Sequence, residues 1–263
     1  MSKIEVRLNP DVTPAGSDLS IVNAARRSFN TRSDWEELDP WTETPGKLKA
    51  KDKRLLEFLA RGMTADDFES FVGDIPAPDT EEHKEELVEK LWQWRNTPTH
   101  ESPFGHAFFS FEVKLPIFLA RQLVKHKFLR WSEYSRRYIT DDVEFYKHDY
   151  RMLAENKKQG SGGKHENSEV WQIEVEARNQ DQLDLYNRMI SDGIAPEQAR
   201  GVLPLDLMTA VTWSGSLDAF ASMCKLRLGS DAQVESQIVA KEIYKYLEQY
   251  CPVSTRSLVY GVH

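Results

Sequence analysis

Only two cysteines, Cys224 and Cys251, occur in the 263 residues of this chain. Two widely separated thiols make neither a disulfide framework nor a metal-ligand spacing, which excludes the stapled secreted domains and the zinc-binding modules. His100 and His106 lack a third clustered ligand, so no metal is expected. No apolar run approaches the ~20 residues needed to cross a bilayer, and the N-terminus has no signal-peptide pattern. A membrane partner is therefore not expected, and a reducing cytosol (a cytoplasmic protein) is the simplest compartment. Excess positive charge is missing too: 34 Lys and Arg stand against 42 Asp and Glu, a net charge of -8. Counterion release needs a broadly basic surface, so a general binder of polymeric nucleic acid is disfavoured. The length fits one large domain over residues 1–263.

Apolar spacing and caps predict helices near 18–29, 51–61, 64–72 and 81–95, with Thr64 and Thr80 as N-caps and Gly62 and Gly73 as stops. Residues 30–50 are polar, carry two prolines, and read as an extended insertion. From Phe104 to Leu115 aromatic and β-branched residues predict a strand. Pro116 then opens a helix where its missing N–H costs nothing, and that helix should present Arg121, Gln122 and Lys125 on one side. Residues 157–164 have no apolar anchor and read as a mobile surface loop. A helix over 168–192, a strand over 205–213, a helix capped by Ser216 and a long helix over 231–250 ending before Pro252 complete the pattern. Helices flanking a small sheet make an α+β protein.

One segment departs from the acidic average. Residues 125–138 gather Lys125, Lys127, Arg130, Arg136 and Arg137 with His126, aromatic rings and serines around one carboxylate, Glu133. Guanidinium and ammonium groups neutralise phosphate, and flat rings stack on heterocycles, so the run suits an anionic, planar, phosphate-bearing ligand. The plainer reading is a solvated helix face.

The spacing carries more than the composition. Lys125-His126-Lys127, seven residues and then Ser135 resembles the Arg-His-Arg-x7-Ser signature of the flavin-dependent thymidylate synthases, the ThyX family, and Arg136-Arg137-Tyr138 is similar to its Ser-x-Arg-Tyr ending. The likeness continues in one order through Ala24–Phe29, His100–Phe104, Phe111–Lys114, Pro116–Gln122, Ala199–Pro204, Leu226-Arg227 and Ala232-Gln233. It implies the ThyX fold, an α+β fold with helices flanking a small antiparallel sheet, assembled as a homotetramer with active sites shared between subunits.

The resemblance also implies roles. Arg227 would lie against the pyrimidine of dUMP, favour ionisation at N3 and be the catalytic residue. Gln122, Lys125, Glu133, Tyr134, Ser135, Arg136, Arg137 and Arg200 would hold the nucleotide. Ser102, Lys125, His126, Lys127, Glu133, Ser216 and Ser222 would hold FAD, with NADPH and methylenetetrahydrofolate as co-substrates. The sequence departs from the pattern at Lys125 and Lys127, which replace two arginines and keep the charge without the bidentate fork. Ser216 and Ser222 stand where Asn or His is common, and Asp231 where His is common. Cys224 and Cys251 fit a helix interior and a helix end, so they read as packing residues rather than nucleophiles. The implied reaction converts dUMP to dTMP. A variant making another 5-substituted product such as 5-hydroxymethyl-dUMP is the alternative, and a single-stranded nucleic-acid binding module using the basic-aromatic run is a further one.

Overall fold

The chain runs β1 (Glu5–Leu8), α1 (Asp18–Arg26), α2 (Ala50–Arg61), α3 (Ala65–Asp74), α4 (Glu81–Asn96), β2 (Phe108–Pro116), α5 (Ile117–Leu123), β3 (Arg130–Glu133), β4 (Arg151–Leu153), β5 (Ser161–Lys164), α6 (Ser168–Ser191), α7 (Pro196–Ala199), β6 (Met208–Ser216), α8 (Leu217–Arg227), α9 (Val234–Tyr250) and α10 (Pro252–Val259) in the computed structural model. Short 3-10 turns occupy residues 27–29, 102–106 and 200–202. The structure describes residues 3–37, 46–74, 81–97, 99–135, 143–154 and 160–261. Two compact units emerge, each built from separated stretches.

The first unit comprises residues 1–11, 110–214 and 226–242. Its sheet has the order β1-β2-β6-β3. The outer strands pair antiparallel with the inner ones, in register from Glu5↔Lys114 to Leu8↔Phe111 and from Arg130↔Ser214 to Glu133↔Val211. Alternation sets which side chains go inward: Phe111, Val113 and Leu115 are buried on β2, and Val211 and Trp213 on β6. A second ribbon pairs β4 with β5.

The second unit comprises residues 12–109, 215–225 and 243–263. α1 opens with a capping box, Ser17 and Ser20 each accepting from the other's backbone N–H. Its Asp18 carboxylate accepts from Val253 N at 2.8 Å and Ser254 N at 2.9 Å, capping α10 from a distance in sequence. Burial pushes this carboxyl above its usual range, opposed by those hydrogen bonds. Arg26 meets the fully buried Asp52 at 2.5 Å and ties α1 to α2.

Most predicted helices are present. α1 and its 3-10 extension cover 18–29, Gly62 ends α2 with φ 78°, and Thr64 shares a capping pair with Asp67. Thr80 and the two prolines of the insertion lie outside the described residues. The insertion's flanks meet in an antiparallel bridge, Glu37↔Lys47.

Several boundaries differ. Gly73 does not stop α3, which continues to Asp74. Residues 104–106 belong to a 3-10 turn, and the strand runs 108–116. Pro116 is the N-cap of α5, and that helix ends at Leu123, so Lys125 is not on it. Residues 161–164 are no loop: their backbone pairs with β4, which supplies the order their side chains cannot. The 205–213 strand sits at 208–216, α9 starts at Val234, and β1, β3 and α10 were unexpected.

Candidate functional site

The signature forms a tight connection between α5 and β3. Val124 caps the helix, His126 N donates to Leu123 O at 3.1 Å, and Leu129 N donates to His126 O at 3.1 Å. Buried Leu123 and Leu129 anchor the two ends of this turn. Three of its side chains face outward: Lys125 and Lys127 are exposed, and Phe128 is 88% exposed. His126 turns inward and is half-buried, with its ring 6.3 Å from that of Trp213.

Arg227 closes α8, and its Nε donates to His126 Nε2 at 3.2 Å. An arginine has no acceptor, so Nε2 must carry the lone pair and the ring must be neutral with its proton on Nδ1. The electrostatics agree. Burial first, and then the charge of Arg227, lower the His126 pKa to about 4. The terminal amino groups of Arg227 have no partner among the described residues, which leaves the guanidinium fork open to a ligand.

Glu133 is held from two sides. Thr209 Oγ1 donates to one carboxylate oxygen at 3.1 Å, and Trp131 Nε1 donates to the other at 3.3 Å. Trp131 packs edge-on against Trp213, 5.4 Å between ring centres, and both sit at paired positions of β3 and β6. Tyr134 N donates to Ala210 O, which extends the pairing beyond β3 and carries the chain to Ser135. On α5, Gln122 Oε1 is buried without a partner among the described residues. The orphaned Gln122 acceptor on α5, the open Arg227 fork and the ammonium groups of Lys125 and Lys127 on the turn are donor and acceptor groups that lack a complement within the protein, among the described residues.

The structure thus brings His126 and Arg227 together and places Gln122, Lys125, Lys127, Glu133, Tyr134 and Ser135 on the segment around them. Arg136 and Arg137 lie outside the described residues. Arg200 is exposed, and its Nε folds back to Glu197 O at 3.3 Å; no contact joins it to the signature among the described residues. Ser102, Ser216 and Ser222 belong to the second unit, with Ser102 in a 3-10 turn, Ser216 ending β6 and Ser222 exposed on α8. Thr209 and Trp213, which hold Glu133 and back His126, escaped sequence reasoning. The alternation along β6 was the available signal, since it puts Thr209, Val211 and Trp213 on one side. Cys224 and Cys251 are buried, and burial, joined for Cys251 by the Asp18 charge, raises both thiols far above the range of a nucleophile.

The model of the family described as "Thymidylate synthase complementing protein" matches residues 11–253. The flavin-dependent thymidylate synthase of Thermotoga neapolitana is 30% identical over 241 residues, 90% of this chain and 83% of that protein. The protein of the same description from Thermus thermophilus is 35% identical over 169 residues, 64% of this chain. The match spans 61% of that relative's length. Among solved structures, a UMP/dUMP methylase, PolB, from Streptomyces cacaoi bound with 5-Br UMP superposes with a TM-score of 0.70 over 99% of this chain and 96% of that one, at 22% identity. The same methylase bound with 5-Br dUMP gives 0.68 at 25% identity over 97% of this chain and 94% of that one.

Proposed function

Because this chain belongs to the thymidylate synthase complementing protein family, whose curated relatives are flavin-dependent thymidylate synthases, we propose that it methylates dUMP to dTMP. The carbon comes from methylenetetrahydrofolate and the reducing equivalents from NADPH through FAD. The whole chain acts as one catalytic domain, in a cytosolic homotetramer that takes no polymeric nucleic acid. The observation that carries this reading is the His126–Arg227 hydrogen bond, which fixes a guanidinium while leaving its fork free.

In this mechanism Arg227 meets the pyrimidine edge of dUMP. Its charge favours loss of the N3 proton, and the electron density that remains makes C5 the nucleophile. Neutral His126 takes the Nε–H and so orients the fork without competing for negative charge. Gln122, Glu133, Tyr134, Ser135, Arg136, Arg137 and Arg200 hold the nucleotide, the arginines serving its phosphate. The free ammonium groups of Lys125 and Lys127 would suit the anionic parts of FAD, and His126 and Glu133 are assigned to the same cofactor by resemblance. When bound, FAD supplies hydride chemistry that no side chain offers. Ser102, Ser216 and Ser222 are assigned to FAD by resemblance alone. No protein nucleophile is used, in keeping with the raised thiols of Cys224 and Cys251.

The test is mass spectrometry of the nucleotide formed from dUMP, methylenetetrahydrofolate, NADPH and FAD. A dTMP product supports the reading. Lysines in place of the signature arginines favour one second reading, a different 5-substituted product, and a 5-hydroxymethyl-dUMP mass would replace the first reading with it. An unchanged dUMP pool would overturn both.

A further inference from the structure

Away from the signature, the first unit contains a cavity of about 220 Å³ between residues 143–150 and α6, lined by Tyr146, His148, Tyr150, Gln172, Val175 and Asn179 among others. No residue from Gln122 to Ser135 lines it. Its aromatic wall is firmly built. Phe118 and Tyr150 stack on His148, each 5.2 Å away with planes 25° and 26° apart, and His148 Nε2 is 2.8 Å from Asp206 Oδ1. Gln172 Nε2 donates to His148 O at 2.6 Å and joins α6 to that wall.

Asn179 is the unexplained group. It is only 6% exposed as a residue and lines the cavity, and its amide, which is open to the cavity, has no hydrogen-bond partner among the described residues. An amide open to a cavity and unpaired within the protein is available to a ligand's own donor and acceptor. The Tyr146 hydroxyl is likewise without a partner among the described residues, and burial, with the Glu235 charge, pushes its pKa up to about 12, so it stays a neutral donor. An Asn amide gives one hydrogen bond and takes one side by side, which matches a ring edge presenting an acceptor next to a donor. The volume suits one such ring, since a cavity of ~150 Å³ already holds benzene. Charge gives phosphate no net attraction: Lys147 in the lining is offset by Glu176, and Glu144 is offset by Lys114 at 2.7 Å.

We propose that this cavity is a second small-molecule site, which binds an uncharged planar nitrogen heterocycle through its lactam edge on Asn179, as a free pyrimidine base or nucleoside presents it. This cavity is separate from the signature, so its occupancy is measured without turnover. Saturation-transfer NMR on the full chain, with excess dUMP present, should show thymine and thymidine binding with a dissociation constant on the order of a millimolar. Toluene, of similar ring size with no lactam, should not compete. Asn179→Leu, similar in volume, should weaken binding at least ~10-fold. Val175→Trp should block the cavity while leaving the amide in place, and thermal melts of both variants check that they fold. Absence of thymine and thymidine binding, equal binding of toluene, tighter binding of dTMP than of thymidine, or indifference to both substitutions in folded protein would overturn the proposal.

Discussion

His126 carries two linked properties, its contact with Arg227 and its lowered pKa. Both require a neutral ring. Its folded value lies at about 4 against an ordinary 6.5, so between these pH values the unfolded chain binds the extra proton. The stability from the neutral ring is therefore fully present above the ordinary value and is lost as pH falls toward about 4. His126→Gln keeps an acceptor for Arg227 and removes the titration. Its melting temperature should fall less than that of the parent between about pH 7 and pH 5. Equal slopes would assign the acid sensitivity to another group. Arg227 and Arg137 separate by kinetics. An interaction with a pyrimidine gaining negative charge strengthens toward the transition state, whereas the charge of a phosphate barely changes. Arg227→Ala should lower single-turnover flavin oxidation on the order of 10²–10³-fold with a smaller loss of dUMP affinity. Arg137→Ala should weaken dUMP binding roughly 10–100-fold and leave the rate nearly unchanged. The reverse pattern would reverse the two assignments.

At the scale of elements, a test falls on Gly62, which ends α2 with φ 78°, where an L side chain is strained. A Cβ there would also stand 2.6 Å from Thr97 Cγ2. Gly62→Ala should therefore destabilise the protein by about 1–3 kcal/mol in denaturant unfolding, with no change in slope. An unchanged midpoint would show that the turn relaxes. That helix end was legible in the sequence because the cap and the apolar spacing are local. α1 and α6 were legible for the same reason. β5 was not, because Ser161-Gly162-Gly163-Lys164 has no intrinsic strand signal and owes its conformation to pairing with β4. The site divides likewise. Its signature block could be read directly, whereas Thr209 holds Glu133 across 76 residues of chain, a pairing that only the strand register creates. The placement of Lys125 failed because the end of α5, at Leu123, is set by the buried leucines flanking the turn rather than by a Gly or Pro.

For the whole molecule, the proposed homotetramer makes a physical demand on the surface of the first unit. Near the start of α6, Val170, Trp171 and Ile173 are exposed, Ile173 by 70%, and on β4 Leu153 is exposed by 95%. Isolated exposed apolar residues are ordinary, but a large aromatic and two β-branched side chains within four positions are costly to leave in water. A net charge of -8 disfavours random association, so a symmetric contact of these apolar groups with a second copy is the economical way to cover them. Light scattering should give a mass four times that of the chain. Trp171→Glu combined with Ile173→Glu places like charges where the copies meet and should shift the mass downward while the far-ultraviolet circular dichroism stays unchanged. Turnover should fall with the mass, because the family reading shares each active site between subunits. A parent protein that is monomeric yet fully active would refute the assembly, and a charged variant that remains tetrameric would move the interface elsewhere on the chain.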